Sequence, residues 1–363
     1  MSLDSSAKFE PKSVIDLRSD FLSRPTPAMI EAMVHASRIP GDFDSREDPT
    51  VRRLEALAAE VLGKQDALFV PTCMMANQIA IHLHCRPGEG FVTEAEAHVV
   101  TSESDAASAL SGAMPIQIPA VQGALDADAL TTAIESVDRQ HGRPVMVLQE
   151  NTHVRSGGRV VSLDHMARIS DIASAYGAAT HLDGARLFNA AVSLDRPARD
   201  LAAQAQTVAF NLNKGLGAPI GAILAGSSSL VTEAVRVRQM FGGNWRPAGI
   251  PAAAGIVALN TMIDRLIEDH ARAGRLAKGI SEIGGIRTEE ESTETNIVLA
   301  EPTTMTPEAF VGALSEKGIL TLPFGHRVRF VTHYEVTDDG IDQVLSAIRG
   351  ILNGEKYDSQ VGR

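Results

Sequence analysis

The chain has 363 residues, of which 44% are hydrophobic and 21% are charged, and its formal net charge is −12. This composition is typical of a globular protein, and the length predicts two domains because a single hydrophobic core seldom grows beyond about 250–300 residues. The acidic balance argues against binding to nucleic acid or to an anionic membrane, since both reward clustered lysine and arginine.

Targeting and redox signals point to the cytoplasm. The N-terminal residues contain no apolar stretch of the secretory type, and no segment of the sequence reaches the length of a membrane span. Cys73 and Cys85 are the only cysteines, and their spacing suits neither a metal site nor a disulfide framework. We therefore expect a cytoplasmic protein that holds no metal ion.

The N-terminal half alternates between predicted strands and helices. Residues 1–12 are polar and predict a loosely held arm, Thr26-Pro27 predicts a helix start, and Thr50 is expected to cap the next helix. The predicted strands are 67–70, 90–93, 115–118, 144–148, 178–182, 208–211 and 220–225; the predicted helices are 28–36, 51–61, 75–83, 102–110, 126–137, 163–176 and 196–205. Repeated β-α units predict an α/β fold with a mostly parallel sheet and helices on both faces.

The C-terminal part predicts a smaller α+β unit. A long apolar, alanine-rich segment over residues 251–267 suits a spine that joins two domains. The strands predicted after it are 295–299, 319–322 and 328–332, and the predicted helices are 307–317 and 337–352. We expect a large domain over residues 28–250 and a small domain built from residues 1–27 together with 251–363.

Two strand ends carry the residues with the strongest chemical signal. Residues 180–186 read THLDGAR and residues 208–219 read VAFNLNKGLGAP, so that each strand breaks into glycine-rich backbone where a charged residue follows. An open α/β sheet binds its ligand at the carboxyl ends of its strands. Asp183 and Lys214 are the two groups that pyridoxal phosphate requires, an acid for the pyridine nitrogen and an amine for the aldehyde. Singly, each motif is more often a simple turn, and only their order and shared setting favour a cofactor site.

Further motifs give the chain a resemblance to a known family. It resembles the threonine aldolase branch of the β-eliminating lyase family, whose members have the fold-type-I architecture of pyridoxal phosphate enzymes. The resemblance covers nearly the whole chain. The motifs that carry it are DLRSD (16–20), EDPT (47–50), MANQ (75–78), ENTH (150–153), GGRVV (157–161), HLDGARLFNA (181–190), NKGLGAP (213–219) and VTH (331–333).

The resemblance implies a cofactor site. Lys214 would form the Schiff base with pyridoxal phosphate, Asp183 would lie beneath the pyridine nitrogen, and His98 would stack on the ring. Arg186 would be shared between the phenolate oxygen of the cofactor and the substrate carboxylate. Glu103 stands where the family has a glutamate near that histidine.

The phosphate of the cofactor would lie in the turn before the third predicted helix. That turn contains Thr72, Cys73 and Met74 where the family usually has Ser-Gly-Thr, so we expect the Thr72 hydroxyl and main-chain amides to bind the phosphate. Arg246 resembles a basic residue that a neighbouring subunit contributes toward the phosphate. This implies a homodimer or homotetramer with shared active sites.

The same resemblance implies how an amino-acid substrate is held. Ser19 and Arg329, together with Arg186, match groups that bind the α-carboxylate. His153 matches a histidine close to the substrate hydroxyl. The catalytic base stays open at this stage, because His98, His153 or an ordered water could each take the hydroxyl proton.

The implied activity is a lyase that cleaves the Cα–Cβ bond of a β-hydroxy-α-amino acid to glycine and an aldehyde. Two departures from the family pattern, Ser45-Arg46 in place of Tyr-Gly and Cys73-Met74 in the phosphate turn, leave open a change to β-elimination. Because Arg46 adds charge where an aromatic residue is lost, we expect a roomier, more cationic pocket and a larger or acidic substrate. The sequence is also compatible with a cofactor-bound regulator that has little catalysis and with a scaffold that binds no cofactor.

Overall fold

The computed structural model describes residues 14–44, 46–140 and 144–354, except for the side chains of residues 137–140. The predicted N-terminal arm and Ser45 lie outside the described residues. The strands are β1 (Ile15–Asp16), β2 (Asp66–Val70), β3 (Gly90–Glu94), β4 (Met114–Ile118), β5 (Ala120–Val121), β6 (Ala124–Leu125), β7 (Pro144–Glu150), β8 (Ala179–Asp183), β9 (Thr207–Asn211), β10 (Ala222–Gly226), β11 (Ile286–Thr288), β12 (Ile297–Pro302), β13 (Ile319–Leu320), β14 (Leu322–Phe324) and β15 (Arg327–Val331). The helices are α1 (Pro27–Ala36), α2 (Pro49–Leu62), α3 (Cys73–His84), α4 (His98–Thr101), α5 (Ala106–Ser111), α6 (Ala127–Gln140), α7 (Leu163–Ala175), α8 (Leu187–Ser193), α9 (Ala198–Ala202), α10 (Ser228–Met240), α11 (Gly249–Thr261), α12 (Leu266–Ser281), α13 (Pro307–Glu316) and α14 (Asp338–Leu352).

The large sheet has seven strands in the order β2-β10-β9-β8-β7-β3-β4. Its pairs are parallel apart from those of β10, which runs antiparallel to both β2 and β9. Both faces are covered, because Ala67 and Phe69 pack with α2 and α11 whereas Leu68 and Val70 pack with α3 and α10. The predicted mostly parallel α/β sheet is confirmed.

The small sheet has four antiparallel strands in the order β11-β12-β15-β14. Val298, Ala300, Val328 and Phe330 point from this sheet into a hydrophobic cluster of their own, shared with α12, α13 and α14. Leu17 belongs to that cluster, and the adjacent β1 pairs in parallel with β13. The N-terminal segment is thus packed against the C-terminal unit, while the exact two-domain division stays a prediction.

Several helix boundaries differ from the sequence-based expectation. Asp48, rather than Thr50, caps α2, since its carboxylate accepts from the amides of Thr50 and Val51 and Pro49 occupies the first turn. The helix predicted over 102–110 is confined to α5, which begins at Ala106, and a separate short helix, α4, ends at Thr101 before it. The predicted helix over 196–205 is confined to α9, because Pro197 stands at its N-cap.

The predicted spine over 251–267 ends at Thr261 and is followed by a separate helix, α12. The apolar composition of residues 251–267 predicts one continuous segment, because composition alone does not show where a helix ends or bends. Within the described residues, no single helix is long and apolar enough to cross a membrane; α11 and α12 meet that standard only as a pair bent by 73°.

Three histidines with lowered pKa values, of which His181 is fully buried, each reduce the stability of the fold in acid. Desolvation lowers the pKa of His84, His181 and His270 to about 4 in each case. At these three positions the unfolded chain therefore binds more protons than the folded chain between about pH 4 and 6.5, and their contribution to the free energy of unfolding falls as the pH drops through that window. For the fully buried His181 we expect a loss of roughly 2 kcal/mol between pH 6.5 and pH 5.

Urea denaturation at pH 7 and pH 5 measures this effect. The variant His181→Asn should lose less stability on acidification than the wild type, while the exposed His35→Asn should behave like the wild type. Equal acid losses in wild type and His181→Asn would rule out His181 as a source of the lability.

Candidate active site

The site lies where β8 and β9, neighbours in the large sheet, reach their carboxyl ends. Asp183 is the last residue of β8 and aligns with Ala209 of β9. The chain turns at once through Gly184, whose amide donates to the Ala209 carbonyl at 2.8 Å. A Cβ at position 184 would lie only 2.9 Å from that oxygen, so the glycine permits the close approach that brings both strand ends together.

Lys214 lies in the turn that follows β9. The Gly217 amide donates to the Lys214 carbonyl at 2.8 Å, and Gly217 has φ of 73°, a conformation that favours glycine. Desolvation lowers the pKa of the Lys214 amine, and the Arg186 guanidinium lowers it further. A larger share of the amine is therefore neutral and able to attack a carbonyl.

Asp183 is buried and held by three donors. Asn77 Nδ2 donates to its Oδ2 at 2.8 Å, the Ala185 amide donates to Oδ1 at 3.1 Å, and Cys73 Sγ lies 3.9 Å from Oδ1. Burial and the neighbouring Asp183 raise the pKa of the Cys73 thiol, so this cysteine stays protonated and can donate. The carboxylate is thereby fixed with its charge directed into the site.

His98 is positioned by Glu103. Its Nδ1 lies 3.0 Å from Glu103 Oε1, and Glu103 in turn accepts from Asn77 at 2.9 Å and from Gln78 at 2.7 Å. Burial opposes a charge on His98, but the Glu103 hydrogen bond and the Asp183 carboxylate outweigh it and raise its pKa. One ligand atom from each of His98, Glu103 and Asp183 lies within 4.8 Å of the others, which places the histidine beside the acid.

His153 is buried more deeply and both of its ring nitrogens are engaged. Nε2 lies 2.7 Å from Glu94 Oε1, and Nδ1 lies 2.8 Å from Ser156 Oγ. Burial opposes its charge, but Glu94 and the adjacent Glu150 raise its pKa. Glu150 also accepts from the amides of His98 and Val154, so it ties the two histidine-bearing segments together.

Two arginines and one acid form the wall expected to hold a carboxylate. Arg186 donates through Nε and Nη2 to Asp20 at 2.8 and 2.7 Å, and Asn296 also donates to Asp20 at 3.1 Å. Arg329 donates to the Arg18 carbonyl at 3.1 Å, but its buried Nε has no partner among the described residues. Desolvation and the nearby Arg186 lower the pKa of Arg329 to about 10. The two guanidinium groups of Arg186 and Arg329 are thus balanced by only one carboxylate, that of Asp20. A carboxylate of a ligand could neutralise the second positive charge.

Ser19 and Thr72 lie at the edge of this arrangement. Ser19 is buried and its Oγ lies 3.4 Å from Asp20 Oδ1. Thr72 is the N-cap of α3 and accepts from the Met75 amide at 3.1 Å, so its own hydroxyl proton remains able to donate. The first amides of α3, those of Cys73 and Met74, have no acceptor within the helix and point outward from its positive end.

These residues fit pyridoxal phosphate. The amine of Lys214 has a lowered pKa, Asp183 is a buried acid, and the charge of Asp183 acts on that amine. The N terminus of α3 supplies free amides for a phosphate. The set therefore offers an amine, an acid and an anion cradle at one strand edge, as the cofactor requires.

The side chains of three further residues named from the sequence lie at the surface or in other contacts. The Met74 side chain is 40% exposed. Arg246 is on the surface, where Nη1 donates to the Phe43 carbonyl at 2.9 Å and the guanidinium stacks 4.9 Å from the Phe43 ring, so its predicted role in another subunit stays a prediction. Arg46 pairs with Asp66 and with Glu55.

The Arg46 contacts correct one expectation. Asp66 begins β2, whereas the site follows the end of that strand at Val70, so Arg46 lies at the opposite edge of the sheet. Its positive charge is balanced there by Asp66 and Glu55. The expectation that Arg46 makes the pocket of its own chain more cationic is wrong. Sequence adjacency to the EDPT motif suggested a site position that the fold does not give it.

Some residues of the site had no predicted role. Asn77 and Gln78 hold Asp183 and Glu103, and Asp20 holds Arg186. Each stands inside a motif that carried the family resemblance. The available signal was the adjacent amides Asn77 and Gln78 between the apolar residues 73–76 and 79–81 of α3, since buried polar side chains need partners.

Asn77→Ala should weaken both the fold and the site. The change removes donors from Asp183 and Glu103 and the acceptor of His181 Nε2 at 3.0 Å. We expect the free energy of unfolding to fall by about 1–3 kcal/mol and kcat to fall severalfold. Denaturation and glycine release measure these effects, with the exposed Gln117→Ala as control; an Asn77→Ala enzyme equal to wild type in both would contradict the network.

Comparisons with known proteins identify relatives over most of the chain. The family model described as "Beta-eliminating lyase" matches residues 16–302. The low-specificity L-threonine aldolase 1 of Arabidopsis thaliana is 36% identical over 92% of this chain and 95% of its own length. The low specificity L-threonine aldolase of Escherichia coli K12 is 34% identical over 93% and 99%. A solved threonine aldolase of Leishmania major superposes with a TM-score of 0.82, at 19% identity, over 93% of this chain and 99% of that one.

Proposed function

The chain belongs to the β-eliminating lyase family, and on that premise we propose that it cleaves the Cα–Cβ bond of β-hydroxy-α-amino acids to give glycine and an aldehyde. The single observation that carries the proposal is the meeting of Lys214, Asp183 and the Arg186–Arg329 pair at one edge of the sheet. The first two fit the cofactor, and the arginines fit the carboxylate of an amino acid. The names of the relatives, which are threonine aldolases, support the same reaction.

Some residues of the site would bind the cofactor and the substrate, and others would take part in the reaction. Pyridoxal phosphate, when bound, supplies an electron sink that stabilises negative charge at Cα. Lys214, Asp183, His98 and the N terminus of α3 would hold the cofactor. The Asp183 carboxylate, fixed by Asn77, would pair with the ring nitrogen of the bound cofactor.

Arg329 and Arg186 set the orientation of the substrate. The unpartnered Nε of Arg329 and the Nη1 of Arg186, which does not bond Asp20, are the donors available to an α-carboxylate. A two-point grip on the carboxylate restricts rotation of the amino acid, and this decides which bond of Cα is aligned for cleavage.

His98 is the better-placed proton acceptor for the substrate hydroxyl. Its Nδ1 faces Glu103, and its Nε2 has no partner among the described residues, whereas both nitrogens of His153 are engaged. We therefore assign the hydroxyl proton to Nε2 of His98. His153, Glu94 and Glu150 form the wall behind it.

The assembly and location are parts of the same proposal, which places the enzyme in the cytoplasm as a homodimer or homotetramer. The assembly is supported by Phe43, which is 83% exposed and stacks with Arg246 on the surface. An exposed aromatic ring beside an arginine is typical of protein–protein interfaces. Arg246 would then reach the phosphate of a neighbouring copy.

A substrate panel tests the proposed reaction. The purified enzyme with cofactor is incubated with L-threonine, L-allo-threonine and 3-phenylserine, and glycine is quantified. We expect glycine and the matching aldehyde from more than one of them, as for a low-specificity enzyme. Formation of a 2-oxo acid and ammonia in place of glycine would show β-elimination and overturn the proposal.

A further inference from the structure

A cavity of about 720 Å³ lies beside the site, between the loop that follows His153 and the small sheet. Arg155 and Gly157 line it from the loop, and Leu299 and Arg327 line it from the sheet. None of the roles assigned above uses this cavity. Because the cavity lies next to Arg329, its side chains could contact the part of a substrate that extends beyond the α-carboxylate.

The cavity and Arg329 share one face of the small sheet. Leu299 of β12 is the register partner of Arg329 in β15, so the two side chains stand on the same face. Arg327 precedes Arg329 by two residues on the same strand and also points to that face. Val328 and Phe330, on the opposite face, are buried in the core. The surface that carries Arg329 therefore continues directly into the cavity.

Phe324 links Arg329 to the loop on the far side. The Arg329 guanidinium lies 5.3 Å from the centre of the Phe324 ring, and the Arg155 guanidinium lies 5.1 Å from the same ring. The positive charge of Arg155 also acts on Arg329. Arg155 is consequently the next cation along a path from the α-carboxylate position into the cavity.

Two of the arginines that line the cavity lack an acid partner. Neither Arg155 nor Arg327 forms an ion pair within the described residues, and the Nε of Arg327 is buried without an acceptor. By contrast, Arg287 in the same cavity is paired with Glu301 at 3.2 Å. A half-buried guanidinium without an acid partner can bind an anionic ligand, because the ligand supplies the missing counter-charge.

The acids of the cavity do not cancel these charges. Glu96 and Glu289 also line it, but both are exposed to solvent, and Glu301 already belongs to Arg287. Screening by water weakens the exposed acids relative to the half-buried arginines. The interior of the cavity is thus more cationic than its rim.

We propose that Arg155 and Arg327 form a subsite for a second carboxylate, so that the enzyme takes β-hydroxy-α-amino dicarboxylic acids. This inference rests on the proposed function, in which Arg329 holds the α-carboxylate. With 3-hydroxyglutamate, the hydroxyl loses its proton, the Cα–Cβ bond breaks, and a proton adds to Cα. The products are glycine and 3-oxopropanoate, which together contain all the atoms of the substrate.

A binding experiment on the enzyme with cofactor tests the subsite without turnover. Glutarate carries two carboxylates and butyrate carries one, and calorimetric titration gives the Kd of each. We expect glutarate to bind roughly tenfold to a hundredfold more tightly than butyrate, the range of one or two charged hydrogen bonds. Equal Kd values would overturn the proposal.

Matched variants show which arginines cause the preference for glutarate. In Arg155→Met combined with Arg327→Met, the preference for glutarate should disappear, while butyrate still binds and so reports an intact Arg329 site. Arg287→Met, which removes a paired arginine of the same cavity, should keep the preference. A double variant that retains the preference, or an Arg287→Met enzyme that loses it, would contradict the assignment.

Steady-state kinetics test whether the proposed subsite contributes to turnover. The ratio of kcat/KM for 3-hydroxyglutamate to that for its neutral analogue 3-hydroxyglutamine should exceed unity in the wild type and drop roughly tenfold or more in the double variant. Failure to release glycine from threonine would refute the proposed function itself. Glycine from threonine together with no preference for the dicarboxylate would refute only the subsite.

Discussion

Replacing Lys214 with alanine is expected to abolish glycine formation, with kcat/KM reduced by more than about a thousandfold. The amine of Lys214 is the one group in the site with both a lowered pKa and the acids Asp183 and Asp20 acting on it. Its removal leaves no nucleophile to hold the cofactor aldehyde. Glycine release from threonine, measured after addition of excess cofactor, checks the result.

Lys278→Ala is the matched control for that variant. Lys278 lies exposed on α12, so its loss should change neither stability nor activity. A primary amine added to the Lys214→Ala enzyme should restore a small part of the rate, because the missing group is an amine. Undiminished turnover in Lys214→Ala would remove this lysine from the mechanism.

Asp20→Ala is expected to lower the free energy of unfolding by about 3–5 kcal/mol, because it leaves the buried Arg186 without its counter-charge. Arg186 bonds Asp20 through two nitrogens at 2.8 and 2.7 Å, and both residues are buried. Burial opposes the charge of Asp20, but Arg186 outweighs it and lowers the pKa of Asp20. The pair's contribution is therefore fully present above the unfolded pKa of about 3.9 and is lost only as the pH falls below it.

Urea denaturation at pH 7 measures the Asp20 effect, and Asp16→Ala is its control. Asp16 also pairs with an arginine, Arg18 at 2.6 Å, but this pair is partly exposed to water. Its loss should cost no more than about 1 kcal/mol. Comparable losses for the two variants would mean that burial does not set the value of the Arg186–Asp20 pair.

Local sequence patterns predicted most of the fold. The strands from β2 to β9 are short apolar runs between helical patterns, and each of those predicted lies within a few residues of its predicted position. The direction of β10 could not be predicted, because an apolar run reads the same in a parallel or an antiparallel pair. The end of α11 could not be predicted for a similar reason, because the apolar residues Met262 and Ile263 follow directly after its last residue, Thr261.

The site was predictable where chemistry follows a strand end and unpredictable where it depends on distant contacts. Asp183 and Lys214 stand beside glycines that mark the ends of β8 and β9. Asp20 and Arg186, however, are separated by 166 residues, and no local pattern pairs them. Arg46 shows the converse, since its place near a family motif predicted a role that its ion pairs with Asp66 and Glu55 exclude.

The central claim is that the bond between Cα and Cβ breaks, and L-threonine labelled with ¹³C at both carbons tests it most directly. The reaction with the cofactor-loaded enzyme is followed by carbon NMR. We predict that the coupling between the two labels disappears as one appears in glycine and the other in acetaldehyde. Retention of the coupling in 2-oxobutanoate, with release of ammonia, would contradict the account.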